Sequence, residues 1–131
     1  MQEIILVSGN KLQIQSPAFK DGKYLLKCFA RELKTIGLDI DNLSSEELAL
    51  SKIIDGALAL ISSDEFEDAF WVCANTCLYN GERVNEKLFD DREEAREDFF
   101  EIEYKIVEAC LKPFLKRLPT LLKNSLKKVV R

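Results

Sequence analysis

Two thiols stand four residues apart in the stretch VCANTC, residues 72–77, and two more lie at Cys28 and Cys110. Thiolates bind zinc and exchange disulfides, so the cysteines are the first groups to weigh for chemistry. A zinc site needs thiolates or imidazoles at short spacing, typically Cys-x-x-Cys pairs brought together from two places. This chain has no histidine, and Cys73 and Cys77 are spaced for one face of a helix. Cys28 and Cys110 also fall on apolar helical stripes. Free cysteine is commonly a small core residue, so the four thiols are read as packing material, with no metal and no cofactor expected.

The lack of histidine also removes the usual base near neutral pH, every Ser-His or Cys-His nucleophile, and the Glu-x-x-His di-iron motif. Carboxylates gather in SSDEFED and DDREEARED, but at helix starts, where acids complement the helix dipole and cap free amides. The glycines, at positions 9, 22, 37, 56 and 81, never cluster into a phosphate-cradling loop. No residue is assigned a catalytic role, and the chain is read as a non-enzyme.

The elements that must position these residues are well punctuated. EIILV and KLQIQ flank SGN, and Leu12 and Ile14 alternate with polar neighbours, which is the period of a half-buried hairpin strand. Pro17 ends it. Tyr24, Leu25, Cys28, Phe29, Leu33 and Ile36 recur at threes and fours up to Gly37, predicting an amphipathic helix over roughly residues 18–36. Ser44 and Glu47 form a capping box before LALSKIIDGALALI, a nearly all-apolar second helix. Ser62 and Glu65 repeat the box before a third, with Phe66, Ala69, Phe70, Cys73 and Cys77 facing inward and Trp71 and Val72 broadening the stripe. Asn80 and Gly81 are read as its stop.

ERVNEKLF reads as a short extended or irregular connection. Asp90 is read as the cap of a charged fourth helix whose buried edge is Phe99, Ile102, Ile106, Val107 and Cys110. Pro113 breaks or restarts it, and FLKRLPTLLKNSLKKVV continues as an amphipathic, basic piece. The expectation is a mainly α chain, a small N-terminal β-hairpin followed by a bundle of about four to five helices. One domain covers residues 1–131: hairpin 1–16, helical core 17–112, and a basic amphipathic C-terminal helix 113–131.

Composition bounds the partners. A chain of 131 residues, 47% hydrophobic and 32% charged, suits one cored domain. A net charge of −4 argues against a general binder of nucleic acid or anionic membranes, which would need surplus Lys and Arg against phosphate. A helix-turn-helix over 47–79 fails because its recognition helix would open with Asp64, Glu65, Glu67 and Asp68. No apolar run approaches the roughly 20 residues of a membrane helix, and MQEIILVSGN lacks the features of a secretory signal. A cytoplasmic protein with reduced thiols and protein partners is expected. Its charge is uneven: most acids lie within 41–108, while from Cys110 onward there is none. That basic end is read either as a solvated helical face or as a tail that docks on an acidic surface, its own or a partner's.

The run DAFWVCANTCLYNGERVNEKLFDDREEAREDFFEIEYKIVEACLKPF resembles small tail assembly chaperones of tailed bacteriophages. The matching residues are Trp71, Cys77, Tyr79, Asn80, Gly81, Val84, Phe89, Asp90, Arg96, Phe99, Pro113 and Phe114. SPAFKDGKYLLKCFARELKTIGLDI also looks like their N-terminal helix. The resemblance implies a non-enzymatic assembly factor of the host cytoplasm that binds the tape measure protein, keeps it soluble, and helps recruit tail tube protein. Such a factor needs apolar grooves kept soluble by a charged surround. The residues expected to contact the client or to mediate self-association are Phe114, Leu115, Lys116, Leu118, Leu122, Lys123 and Lys127. The alternatives are a small cytoplasmic adaptor or inhibitor unrelated to tails and, last, a Cys-based metal-binding protein.

Overall fold

Alternating polarity in KLQI and a turn through SGN bring the N-terminus into an antiparallel hairpin. β1 (Gln2–Ile5) and β2 (Lys11–Ile14) pair with Gln2 opposite Ile14 and Ile5 opposite Lys11. The computed structural model describes residues 1–35, 58, 60, 61 and 63–115, with Leu115 as backbone only. The expected second helix falls outside the described residues except for Leu58, Leu60 and Ile61, of which Leu58 and Leu60 sit in a turn. The C-terminal piece from residue 116 also lies outside them.

The hairpin is half of a larger sheet. β3 (Leu78–Tyr79) pairs with β2 and β4 (Glu82–Arg83) with β3, giving four antiparallel strands in the order β1-β2-β3-β4. Asn80 and Gly81 therefore close a hairpin and do not stop a helix. Their φ values of 49° and 86° are those of a tight two-residue turn whose twist matches that of its strands. Asn80 also joins the two hairpins: its N–H donates to the Lys11 carbonyl and its Oδ1 accepts from the Lys11 N–H, each at 2.9 Å.

Four helices surround this sheet among the described residues, and the chain is mainly helical. α1 (Phe19–Thr35) matches its predicted stripe, with Leu25, Cys28, Phe29 and Leu33 buried, but Tyr24 turns outward. α2 (Asp64–Ala74) is capped by Ser63 rather than Ser62: the Ser63 Oγ accepts from the Phe66 N–H. α2 ends three residues before Cys77, where the Thr76 and Cys77 N–H groups reach back only three residues, to the Cys73 and Ala74 carbonyls, and the Thr76 hydroxyl also donates to the Cys73 carbonyl at 2.9 Å. Cys77 is buried beyond the helix end, and Val72 faces outward instead of widening the stripe.

α3 (Glu86–Asp91) occupies the expected irregular connection. Its cap is Asn85, whose Oδ1 accepts from Leu88 N–H at 3.0 Å, so Asp90 lies inside this short helix and caps nothing. α4 (Glu93–Leu115) then runs straight through Pro113. Proline forfeits one bond, to the Ala109 carbonyl, without breaking the element. The core lies where α1, α2 and α4 meet the inner face of the sheet, around Phe29, Phe66, Phe70, Tyr79, Ile102 and Ile106. Each such side chain contributes roughly 1.5–3 kcal/mol by leaving water.

Candidate functional site

All four thiols are free and buried. The Cys73 Sγ–H points at the Asp21 carbonyl, 3.5 Å away, and Cys77 lies 3.9 Å from the Cys73 carbonyl. A hydrogen bond with Cys73, then burial, pushes the Cys110 thiol well above its ordinary value, and the same bond lowers Cys73 against the burial that opposes it. Burial also raises Cys77. These are core residues. Among the described residues no three His, Cys, Asp or Glu side chains are placed to hold a metal ion.

Two carboxylates are nearly buried on α4, and their environments push them in opposite directions. Asp98 Oδ2 accepts from Tyr79 Oη and Ser8 Oγ, each at 2.8 Å, and from Asn10 Nδ2 at 2.9 Å. Burial would raise this carboxyl, but the bonds from Asn10, Tyr79 and Ser8 outweigh it and leave Asp98 below its usual range. The arrangement pins the turn of the first hairpin and the strand of the second onto α4, so its work is structural. Among the described residues no such donor meets Glu103; burial, then the nearby Glu67 charge, pushes it up to about 7.

A cavity of about 670 Å³ opens between the start of the hairpin and the end of α4, lined by Met1, Gln2, Ile14, Gln15, Cys110 and Lys112 among others. Lys112 and the protonated Cys110 thiol do not make a catalytic pair.

The feature that faces outward is aromatic. On α2, α3 and α4 the rings of Trp71, Phe89 and Phe99 meet pairwise, with centroids 5.8 Å apart for Trp71 and Phe89, 6.2 Å for Trp71 and Phe99, and 5.1 Å for Phe89 and Phe99. Phe100 extends the cluster into solvent: its ring is 5.5 Å from Phe99 and 68% of the residue is exposed. Val72, beside Trp71, is also exposed. The border is acidic. Glu97 stands one helical turn before Phe100, and Glu67 and Asp68 precede Trp71 on α2. Next to Glu97, a shallow depression of about 470 Å³ is lined by Asp91, Arg92, Glu93, Glu94 and Glu97.

No family model, curated protein or solved structure matches the chain. The face must be read from its own geometry.

The expected contact set lies apart from this face. Phe114 is the member whose side chain is described, and it is half buried on α1: its ring lies 5.9 Å from that of Phe19, and a β-carbon at Gly22 would come within 3.1 Å of it. Phe114 packs α4 against α1. Leu115 is described as backbone, and Lys116, Leu118, Leu122, Lys123 and Lys127 lie outside the described residues. Sequence reasoning missed Phe100 and placed Trp71 on an inner stripe. The available signal was the doubled Phe of EDFFE, whose second ring falls off the apolar stripe and among acids.

Proposed function

We propose that this chain is a non-enzymatic assembly factor that binds an amphipathic helical segment of another protein, as the tail assembly chaperones of tailed phages do for the tape measure protein. The observation that carries the reading is the acid-bordered aromatic cluster of Trp71, Phe99 and Phe100, with Phe100 largely in water. A large apolar ring costs solubility when left exposed, and aromatic anchors rimmed by charge are the usual centre of a protein interface. An amphipathic helix would lay its apolar stripe on these rings and its cations toward the acids. Around this face the reading includes a single domain over residues 1–131, a bundle of about four to five helices, the host cytoplasm as location, tail tube protein as a second partner, and self-association.

The test is co-expression with the proposed client, a phage tape measure protein. The wild-type chain is expected to keep the tape measure in the soluble fraction and to be retained by it. Phe100→Ala, checked for native circular dichroism, is expected to weaken retention about tenfold, in line with a central interface anchor. Equal retention by wild type and Phe100→Ala removes the face from the reading, and a tape measure that stays insoluble with the wild-type chain removes the function.

A further inference from the structure

The Trp71–Phe100 face is bordered by Glu67, Asp68 and Glu97. Three cations of the adjoining segments are engaged elsewhere: Arg92 pairs with Glu82, the Arg96 guanidinium donates to the carbonyls of Phe89 and Asp90 that end α3, and the Lys105 ammonium lies over the Tyr104 ring. The chain carries the complement in its last residues. KRLPTLLKNSLKKVVR, residues 116–131, has no acid, six cations at Lys116, Arg117, Lys123, Lys127, Lys128 and Arg131, and apolar residues Leu118, Leu122 and Val129 at helical spacing.

The distances allow the two to meet within one chain. At about 1.5 Å rise per residue, α4 spans roughly 22 Å from Leu115 back to Phe100, and residues 116–131 would cover roughly 24 Å as a helix. Charge complementarity and reach point the same way. We propose that residues 116–131 of the same copy fold back onto the acid-bordered aromatic face and occupy it as a placeholder, which a partner segment of the same chemistry must displace. Val129, about 21 Å along such a helix, comes level with Phe100 and Trp71, and the ammonium groups of Lys127 and Lys128 answer Glu67, Asp68 and Glu97. Self-occupancy shields an apolar ring from other chains and lowers the apparent affinity for a partner by the fraction of time the face is closed. The inference shares its face with the proposed function but needs no property of the partner, so either can fail without the other.

Carbodiimide coupling of the full-length protein tests it, with equal amounts of unlabelled and nitrogen-15-labelled chain mixed beforehand. This reagent joins a lysine amine to a carboxylate in direct contact. The expected products are single-isotope pairs of Lys127 or Lys128 with Glu67, Asp68 or Glu97, with yields falling several-fold in about 1 M salt as screening takes over. Trp71, the single tryptophan, supplies a second readout: in full-length Lys127→Glu/Lys128→Glu its emission is expected to shift to the red. Mixed-isotope pairs mean that the tail of a second copy sits on the face, and they overturn the proposal. So do Lys127 and Lys128 that couple only to other carboxylates, or to none.

Discussion

At Asp98 a single buried oxygen collects a tyrosine hydroxyl, a serine hydroxyl and an asparagine amide, and three segments distant in sequence depend on it. Hydrogen bonds to a charged group contribute about 1.5–3 kcal/mol each, and removing the acceptor strands buried donors. Asp98→Ala is expected to lower the unfolding free energy by roughly 3 kcal/mol or more, measured by urea titration. A loss under about 1 kcal/mol would contradict the structural role. Because the folded Asp98 carboxyl sits below its unfolded value of about 3.9, its contribution is complete above that pH and disappears as pH falls through the folded value.

Glu103 has the reverse sign. Its folded value of about 7 lies above the unfolded value, so the buried charge costs stability above that pH, costs less as pH falls, and costs nothing below about 4.3. Glu103→Gln should stabilise the protein by about 1–3 kcal/mol at pH 8 and leave it unchanged near pH 4. The same increment at both pH values would show that the effect is not electrostatic. The thiols offer a third check at this scale. The native chain should react with an aromatic disulfide reagent far more slowly than the unfolded chain, in which all four cysteines titrate at once.

At the scale of elements, the turn at Asn80–Gly81 carries the clearest cost. A β-branched residue does not adopt a φ of 86° without strain, so Gly81→Val is expected to destabilise the protein by roughly 1–2 kcal/mol in the same titration. An unchanged midpoint would mean that the hairpin is dispensable. This turn also shows why part of the fold was legible in the sequence and part was not. The stripes of α1 and α4 could be read because burying one helix face imposes a 3.6-residue period over many residues, and Leu25, Phe29, Ile102 and Ile106 keep it.

Asn-Gly could not be read that way, because a left-handed pair serves equally to end a helix or to close a hairpin. The strands on either side have two residues each, too short to show alternation. Cys77 continued the period of α2 by coincidence, since a core position beyond a helix end is as apolar as one within it. Ser62 and Ser63 are both competent caps, and the choice between them rests on which hydroxyl meets the Phe66 amide. The aromatic face was the least legible part. Trp71, Phe89 and Phe99 come from three helices, and it is their convergence, invisible along the chain, that leaves Phe100 in water.

At the scale of the molecule, the Trp71–Phe100 cluster lies inside an acidic border, while the stretch from Cys110 onward carries seven cations and no acid. Such a division of charge suits a protein whose work is to hold another chain and let it go. The thiols and the Asp98 cluster are turned inward, where they secure the scaffold. Trp71 stands on the face itself, so occupancy can be read without a label. The most direct test is to titrate the full-length chain with soluble, basic amphipathic segments of the proposed client, following Trp71 emission. The account predicts a saturable blue shift for at least one segment, weakened about tenfold by Phe100→Ala. Saturable binding that leaves Trp71 emission unchanged and ignores Phe100→Ala, or no binding by any segment, would contradict it.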